Sequence, residues 1–375
     1  MDLKDLRLKI DEVDNQMIAL FQQRLDICRD IAEVKLQAGR PVQDLERERQ
    51  KIEALREKAV NDFNEEGVVE LFNQVMSISR KLQYQIMAER GTVGAIPFEM
   101  LPTIPKKKAR VVYQGIEGAY SQAAMFQFFG EDVRNYNVKT WDDAMKAVCG
   151  GMADYAVLPL ENSIAGQVGD VYDLLMHYDN YIVGETYLKV QHVLMGLPGT
   201  KEDEIKRIYS HPQGLMQCSE YLNTHSGVER FSTDNTATSA RKVVEEQDTT
   251  YAAIASEQAA KNYGLEILNR DVMDNPENYT RFIIVSSKKI YSEEAKKVSI
   301  CFECSHEVGS LYRLMSHFIY NNLNMTKIES RPVPGKAWEY RFFVDIDGNL
   351  SSAEVKNALR GILEEAIYFK ILGNY

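Results

Sequence analysis

The first forty residues constrain the fold most, because they carry a long apolar stripe with the spacing of a packed helix. Its members recur in alternating steps of four and three residues, at Leu6, Ile10, Val13, Met17, Leu20, Ile27, Ile31 and Val34. This repeat predicts one long helix that packs along a partner helix. The series requires an apolar residue at position 24, which is instead Arg24. An unpaired guanidinium in an apolar seam is strongly unfavourable, so Arg24 either binds an anionic ligand, forms a salt bridge within a helical bundle or extends its head to solvent.

Two further cations on this helix, Lys35 and Arg7, extend the hypothesis of an anion site. Lys35 follows Arg24 by 11 positions, which places the two side chains within roughly 20° of each other and ~16 Å apart along the helix. Arg7 precedes Arg24 by 17 positions, so it lies ~25 Å away and about 100° round the helix. A functional Arg7 therefore serves a second site, built with another copy of the chain in an intertwined dimer. The alternative is that Arg7 and Lys35 are solvated surface charges.

The composition argues against several classes of protein. A chain of 375 residues is long enough for two or three domains. Its net charge of −11 argues against nucleic acid or an anionic membrane as a partner. The polar start and the lack of a long apolar run predict neither a signal peptide nor a transmembrane helix. Five scattered cysteines fit a reduced cytoplasm, and Cys301 and Cys304 lie on a predicted strand with alternating side chains, so we expect no metal or redox site there.

The pattern of apolar residues changes along the chain and predicts a multidomain protein. Residues 1–90 read as three helices without a strand, and residues 91–109 read as a linker rich in proline, glycine and lysine. Residues 110–288 alternate strands and helices, which predicts an α/β domain. One long strand over residues 186–196, followed by a second α/β set, predicts two lobes with a crossover. Residues 296–375 read as βαββαβ, the ferredoxin-like order.

Polar residues cluster where predicted strands turn into helices. Four such turns lie at residues 115–121, 159–166, 210–217 and 233–238. Free backbone N–H groups at helix N-termini bind carboxylates or phosphates, so several turns that converge on one cleft would hold a small anion. Ordinary helix capping also explains each turn singly. In the helical part, Ser79 and Gln83 lie one turn apart beside an apolar face, which is typical of a lined pocket.

These residues resemble, over nearly the whole chain, the family of bifunctional chorismate mutase–prephenate dehydratases of phenylalanine biosynthesis. The first domain is similar to the all-helical AroQ-type chorismate mutases, which form helical dimers. Residues of the expected type occupy the family's site positions at Arg7, Arg24, Lys35, Asp44, Arg47, Glu48, Ser79 and Gln83. The resemblance implies that Arg24 and a partner chain's Arg7 grip the two carboxylates of chorismate, with support from Arg47. It also implies that Lys35 and Gln83 face the ether oxygen and that Glu48 holds the ring hydroxyl.

The middle domain is similar to the prephenate dehydratases, which implies a two-lobed fold like that of periplasmic binding proteins. The matching motifs are Glu161-Asn162-Ser163 with Gly166, Ser210-His211-Pro212-Gln213 with Gln217-Cys218, and Thr280-Arg281-Phe282. The resemblance implies that Thr280 acts on the departing hydroxyl with Asn162, Ser210 and Gln217 nearby. Arg281 would anchor a substrate carboxylate or brace the site, and Glu161 and Ser163 would line it. The first glycine loop departs from the family, with Ile116 and Ala119 at its usual proline and threonine positions.

The last domain is similar to ACT domains, which implies feedback regulation by L-phenylalanine. Glu329-Ser330-Arg331-Pro332 matches one ligand-site motif of that family. The second motif, usually Gly-Ala-Leu-Val, reads Gly309-Ser310-Leu311-Tyr312 after Val308. This departure leaves the identity of the effector open.

The resemblance therefore implies a cytoplasmic enzyme that uses no cofactor and no metal. It would convert chorismate to prephenate and then to phenylpyruvate, as a homodimer or possibly a tetramer, with no nucleic acid or membrane as a partner. The competing hypothesis from another class is an amino-acid-sensing binding protein with a degenerate mutase domain. Formation of phenylpyruvate from chorismate without any cofactor distinguishes the two.

Overall fold

The computed structural model describes residues 2–90 and 96–375. Its elements follow the predicted order of helices first, an alternating region next and a βαββαβ order at the end. The helices are α1 (Leu3–Gln37), α2 (Leu45–Arg56), α3 (Asp62–Glu89), α4 (Tyr120–Phe129), α5 (Trp141–Cys149), α6 (Gly169–His177), α7 (Pro212–Met216), α8 (Ser219–Thr224), α9 (Thr236–Glu246), α10 (Glu257–Tyr263), α11 (Ser310–Tyr320) and α12 (Ala353–Glu365). The strands are β1 (Glu99–Leu101), β2 (Arg110–Gln114), β3 (Arg134–Val138), β4 (Tyr155–Asn162), β5 (Gly166–Gln167), β6 (Tyr181–Lys189), β7 (His192–Gly196), β8 (Arg207–Ser210), β9 (Glu229–Ser232), β10 (Tyr251–Ser256), β11 (Glu266–Asn269), β12 (Tyr279–Ser286), β13 (Ile290–Ser292), β14 (Lys297–Glu303), β15 (Met325–Pro332), β16 (Tyr340–Asp347) and β17 (Tyr368–Asn374).

The chain divides into two compact units that do not follow the chain in a simple order. The first unit comprises Met1–Pro97 and Lys297–Lys370, and the second comprises Phe98–Lys296 and Ile371–Tyr375. The α/β unit is therefore inserted between the two segments of the first. Within the described residues, no helix combines the length and the apolar character needed to cross a membrane.

The long helix α1 begins and ends where the sequence predicts. Asp2 caps its N-terminus, because the Asp2 carboxylate accepts from Asp5 N–H in a reciprocal capping box. The helix ends before Gly39, which takes the left-handed conformation with φ of 61° that glycine adopts without strain. Helices α1 and α2 both pack against α3, so the N-terminal segment is all-α, as predicted.

The apolar stripe of α1 faces outward in the single chain. Each of its residues is at least 41% exposed, while the buried residues of the helix are Cys28 and Ala32 on the neighbouring side. Arg24 turns to that neighbouring side, because its guanidinium contacts Cys28 and residues of α3. By its position Arg24 belongs to the stripe, as predicted, but its guanidinium reaches Val75 O and Ser79 of α3.

The C-terminal segment of the first unit has the sheet that its element order predicts. Strands β15, β16 and β14 pair antiparallel in that order, and helices α11 and α12 pack against each other. The start of the last strand lies beside β14, where Ile367 N–H donates to Glu303 O. Helix α12 also packs against α3, so the two segments of the first unit are in contact.

The second unit is built from two sheets. Strands β6, β12, β4, β2 and β3 form the first in that order, and β11, β7, β10, β8 and β9 form the second. Val111, Val157 and Ile284 belong to the core of the first sheet. Separate clusters that include Val193 and Leu194 cover the two faces of the second sheet. This two-lobed α/β arrangement is the predicted one.

The predicted long strand over residues 186–196 is wrong. The structure has two strands there, β6 and β7, which belong to different sheets and are separated by Val190 and Gln191. Val190 N–H still donates to Asn278 O, which is the next step of the register in which β6 pairs with β12, and the chain leaves that sheet after Val190. Apolar residues recur through both strands and neither glycine nor proline lies between them, so the sequence pattern does not reveal the change of sheet. The chain thus crosses between lobes at this point and again before β12.

Candidate active sites

The first group of predicted mutase residues lies between α1 and α3. Arg24 Nη1 donates to Ser79 Oγ and lies 3.4 Å from Val75 O, which also accepts from Ser79 Oγ at 2.7 Å. Gln83 Nε2 donates to Ser79 O at 3.3 Å. Ser79 and Gln83 are both buried, and Gln83 Oε1 has no hydrogen-bond partner among the described residues. The group therefore joins a half-buried cation to amide and hydroxyl groups, a mixture that suits a polar anionic ligand.

Lys35 and Asp44 lie at the connection between α1 and α2. Lys35 Nζ donates to the carbonyl of the buried Val42. Asp44 caps α2, because its carboxylate accepts from Arg47 N–H at 3.0 Å. This cap fixes the first turn of α2, on which Glu48 lies.

Arg7 and Arg47 are not brought to these groups. Both side chains are exposed, and Arg7 lies near the start of α1. Arg7 precedes Arg24 by 17 positions, and the rise of a helix separates them by ~25 Å. The structure therefore agrees with the expectation that Arg7 does not reach the Arg24 group of its own chain.

Glu48 forms a second group with a residue that the sequence analysis missed, Arg80. Arg80 is 8% exposed, and its Nη1 donates to Glu48 Oε2 at 2.6 Å while its Nη2 donates to Glu365 Oε1 at 2.9 Å. Burial disfavours the charged guanidinium, but the two carboxylates hold the pKa of Arg80 above its ordinary value. A signal was present in the sequence, because Arg80 follows Met76 and precedes Tyr84 at helical spacing on the buried side of α3.

A cavity of ≈ 930 Å³ in the first unit borders this second group. Its lining includes Glu48 and Arg80 from the helical segment and Gly309 and Ser310 from the C-terminal segment. Neither Arg24 nor Lys35 belongs to that lining. The single chain thus brings Arg24 together with Ser79 and Gln83, and Glu48 together with Arg80.

In the second unit, Asn162 and Thr280 meet where β4 and β12 pair. The two residues are opposite each other in the antiparallel ladder, and Asn162 Nδ2 donates to Thr280 Oγ1 at 2.9 Å. Asn162 Oδ1 accepts from the N–H groups of Ile164 and Ala165, so the amide cannot rotate freely. Because Thr280 Oγ1 accepts a hydrogen bond here, its own proton is available to donate to another group.

Arg281 is held by acidic residues of neighbouring strands. Its Nε donates to Glu185 Oε2 at 2.7 Å, and its Nη1 lies 3.8 Å from Glu161 Oε2. Its Nη2 donates to the hydroxyl of Tyr375 at 2.8 Å. Of the two roles that the sequence left open, these contacts favour bracing of the site over binding of a substrate carboxylate. Ser163 is exposed and is also tied to the backbone, with Tyr279 N–H donating to its hydroxyl.

Ser210 and Gln217 belong to the second sheet and its first helices. Ser210 ends β8 fully buried, and its hydroxyl donates to Ile254 O at 2.7 Å. Gln217 follows α7, and its Oε1 lies 3.1 Å from Nε2 of His192. Asp274 N–H donates to Gln217 O, and Thr280 follows Asp274 by six positions. The segment from Asp274 to Thr280 therefore connects Gln217 with the hydrogen-bonded pair of Asn162 and Thr280.

His192 is a second residue that the sequence analysis missed. It begins β7, and its Nδ1 lies 2.9 Å from the hydroxyl of Tyr120 at the start of α4. Burial lowers the pKa of His192 to about 4, so the imidazole is neutral near pH 7. A neutral ring donates from Nε2 to Gln217 Oε1, while its Nδ1 shares the single hydroxyl proton of Tyr120 with Gln191 O, which lies 2.8 Å from that hydroxyl. His192 therefore orients the Gln217 amide, which no local motif in the sequence indicates.

The predicted effector residues lie on two elements of the C-terminal segment. Gly309 precedes α11 with φ of 76°, and Ser310 and Leu311 begin the helix. Ser310 Oγ donates to Glu307 O at 3.0 Å. The other motif occupies the end of β15, with Glu329 and Arg331 half-buried and Ser330 and Pro332 exposed.

Comparison with known proteins supplies evidence independent of this geometry. The family model for prephenate dehydratase matches residues 111–290, and the model for chorismate mutase type II matches residues 6–84. A bifunctional chorismate mutase/prephenate dehydratase of Stutzerimonas stutzeri is 32% identical over 379 residues, which covers 100% of this chain and 97% of that protein.

Two solved structures are each similar in fold to 71% of the chain. A prephenate dehydratase from Arthrobacter aurescens in complex with L-Phe is 30% identical with a TM-score of 0.66, covering 71% of this chain and 89% of that one. GqqA, described as a novel type of quorum quenching acylase, is 31% identical with a TM-score of 0.65, covering 71% of this chain and 97% of that one. A shared fold does not by itself transfer an activity.

Proposed function

This chain belongs to the family of bifunctional chorismate mutase/prephenate dehydratases, and from that premise we propose which of its residues perform each reaction. It rearranges chorismate to prephenate and then dehydrates and decarboxylates prephenate to phenylpyruvate, in phenylalanine biosynthesis. The similarity over the full length of the chain to a protein with both activities carries this conclusion. The residue roles that follow are our proposals.

Arg24 binds a carboxylate of chorismate. Its hydrogen-bond partners among the described residues are Cys28, Val75 O and Ser79, and all three are neutral. A half-buried cation with only neutral partners keeps its charge for a ligand. The rearrangement is pericyclic and needs no nucleophile, so the enzyme works by orientation and by electrostatic stabilisation of the transition state.

Lys35 and Gln83 stabilise the negative charge that grows on the ether oxygen as it breaks from the ring. Gln83 is buried one turn from Ser79, beside the Arg24 group. Lys35 Nζ donates to Val42 O, so it turns from this carbonyl to reach the substrate. Glu48 accepts a hydrogen bond from the ring hydroxyl, and Asp44 and Arg47 hold the start of α2 near it.

A second copy of the chain completes each mutase site. The exposed stripe of α1 is an apolar surface along a helix of 35 residues, and such a surface is typical of an interface. Arg7 lies on that helix about 25 Å from Arg24, so in an intertwined dimer it can serve the partner's substrate. We therefore assign a homodimer as the smallest active form of the mutase, with further pairing to a tetramer left to experiment.

In the dehydratase, Thr280 donates a hydrogen bond to the departing hydroxyl of prephenate. A threonine hydroxyl is a weak acid, so it acts within a hydrogen-bond relay and not as a free proton source. Asn162 orients the Thr280 hydroxyl, because its Nδ2 donates to Thr280 Oγ1 and leaves the hydroxyl proton free to point at the substrate. Ser210, Gln217, Glu161 and Ser163 line the cleft around the substrate, and Arg281 braces it through its carboxylate partners.

We assign residues 1–90 to the mutase, 110–288 to the dehydratase and 296–375 to a ferredoxin-like ACT domain, joined by the linker 91–109, in a cytoplasmic enzyme. The βαββαβ order and the antiparallel β15, β16, β14 sheet support the ACT assignment. L-phenylalanine is its effector, and Gly309, Ser310, Leu311 and the 329–332 motif form its site. The L-Phe complex of the similar Arthrobacter aurescens protein supports this choice of effector.

One assay tests the two activities together. Purified protein is given chorismate without added cofactor, and prephenate and phenylpyruvate are measured over time. Lys35→Ala is expected to lower the mutase kcat about 100-fold, because the lost cation acts mainly in the transition state, and to leave conversion of supplied prephenate unchanged. A wild-type protein that binds an aromatic amino acid but forms neither product would favour the sensor hypothesis instead.

A further inference from the structure

Arg80 connects a proposed substrate-binding residue of the mutase with the C-terminal segment. One end of its guanidinium donates to Glu48 on α2, and the other donates to Glu365, the last residue of α12. The three side chains are between 9% and 23% exposed. All of them lie in the first compact unit. A buried cation between two carboxylates is a directional link, because each N–H group of the planar guanidinium has a fixed direction.

The far end of this link is itself anchored. His317 Nε2 on α11 lies 3.2 Å from the same Glu365 oxygen that Arg80 contacts. Burial disfavours the charged carboxylate, but His317 and Arg80 hold the pKa of Glu365 below its ordinary value. Glu365 is therefore a carboxylate anion at neutral pH, fixed by both helices of the C-terminal segment.

We propose that Arg80 is a positioning residue of the chorismate mutase site and that Glu365 of the C-terminal segment sets its position. This proposal rests on the assignment of Glu48 to the mutase. Glu48 uses Oε2 for Arg80, so its Oε1 is available to accept a ligand hydroxyl. Arg80 also follows Ser79 directly on α3, so the two groups of mutase residues are adjacent on that helix.

Sharing of the guanidinium between two acids explains why Glu365 matters to Glu48. With Glu365 charged, Arg80 gives one Nη to each carboxylate. When Glu365 loses its charge, both Nη groups can turn to Glu48 in the bidentate geometry that arginine and carboxylate prefer. Glu48 is then held more closely by Arg80 and withdrawn from the substrate hydroxyl.

The test compares two neighbouring acids of α12. Glu365→Gln removes the charge that Arg80 shares and keeps the shape of the side chain. Glu364→Gln is the matched control, because Glu364 accepts from the hydroxyl of Tyr84 on α3 and thus supports the same contact between segments without touching Arg80. We expect E365Q to raise the mutase KM for chorismate about tenfold, whereas E364Q leaves it near the wild-type value. Both variants are expected to convert supplied prephenate at the wild-type rate.

The split between KM and kcat separates positioning from a loss of folded protein. Loss of folded enzyme lowers the apparent kcat and leaves KM unchanged, whereas a displaced substrate-binding carboxylate raises KM. E365D, which keeps the charge, is expected to recover most of the wild-type KM. An E365Q enzyme with an unchanged or lower KM, or an E364Q enzyme with the same rise, would overturn the proposal.

A double-mutant cycle gives a second readout. If Glu365 acts through Arg80, E365Q adds almost nothing to the effect of Arg80→Met, whereas additive effects would contradict the link. If Arg80→Met does not fold, as judged by loss of its dehydratase activity, the comparison of E365Q with E364Q still decides. A wild-type chain without mutase activity would instead refute the proposed function, so the two failures are distinguishable.

Discussion

At the scale of residues, the chemistry of this chain depends on side chains whose orientation is set by one specific neighbour. Asn162 does this for Thr280, His192 does it for Gln217, and Ser79 contacts the head of Arg24. The predicted residues on one element could be found from spacing, as with Ser79 and Gln83. The neighbours that orient these side chains could not be found from spacing. Arg80, for example, contacts Glu48 and Glu365, which are 32 and 285 positions away in the sequence.

Thr280→Val is expected to lower the dehydratase kcat about 100-fold or more, because the shape of the side chain is kept while the donor to the departing hydroxyl is lost. Formation of phenylpyruvate from prephenate measures the effect. Thr280→Ser keeps the hydroxyl and is expected to stay within about tenfold of the wild type. Mutase turnover of both variants serves as the control, and a Thr280→Val enzyme with full dehydratase activity would refute the role.

His192 is expected to make the second unit sensitive to acid. Its pKa is lowered to about 4 by burial, so below pH 6.5 the unfolded chain binds a proton that the folded chain does not. Stability is therefore lost as the pH falls from about 6.5 towards 4, by roughly 2 kcal/mol between pH 7.5 and 5 from this residue alone.

Denaturant unfolding of wild type and His192→Gln at both pH values checks this, with a smaller loss expected for the variant. His225→Gln, in the same unit at a half-buried position, is the control and should keep the wild-type loss. Equal losses for wild type and His192→Gln would show that His192 is already charged or already exposed in the folded state.

At the scale of elements, the type and bounds of a helix or strand can be predicted from the sequence where a periodic apolar pattern extends over many residues. The βαββαβ order of the C-terminal segment and the end of α1 before Gly39 are confirmed. The change of sheet at Val190 and Gln191 could not be predicted, because apolar residues recur through both β6 and β7 and neither glycine nor proline lies between the two strands. The packing of the α1 stripe on a partner helix stays a prediction, because in the single chain the stripe faces outward.

The outward stripe of α1 makes a prediction about assembly. Leu20 and Ile27 are 65% and 53% exposed in the single chain, so Leu20→Lys and Ile27→Lys together should cost a lone chain little stability. If a second copy covers the stripe, the double variant is expected to become monomeric and to lose mutase activity about 100-fold, because Arg7 no longer reaches the partner's substrate.

Light scattering and the mutase assay test this assembly, and dehydratase activity reports that the second unit is folded. Gln22→Lys lies on the exposed side of α1 away from the stripe and is the matched control. A double variant that remains dimeric and active would rule out the stripe as the interface.

At the scale of the whole molecule, the unit that carries the mutase residues also contains the C-terminal segment. The sequence predicted three consecutive domains, and it could not reveal that α12 packs against α3, because no local pattern identifies a contact between distant helices. Through this contact the C-terminal segment can affect the position of Glu48, by way of Glu365 and Arg80, without involving the dehydratase.

The response of both activities to L-phenylalanine tests this route. We expect the effector to lower the dehydratase rate of the wild type and of E365Q to the same extent. The mutase rate should respond in the wild type and much less in E365Q, because the carboxylate that links α12 to Arg80 is then uncharged. Titration of both rates with L-phenylalanine measures this, and an unaltered mutase response in E365Q would mean that the signal follows another path.

The insertion of one compact unit inside the other also has a consequence for biosynthesis on the ribosome. Arg80 and Glu365 are separated by 285 positions, and at 5 to 20 residues per second that stretch takes roughly 15 to 60 s to translate. During that time the three N-terminal helices lack the C-terminal segment that later packs against α3. Arg80 and the apolar stripe of α1 are then both exposed to solvent. The N-terminal helices therefore need protection, by a chaperone or by a neighbouring nascent copy, until the C-terminal segment has been synthesised.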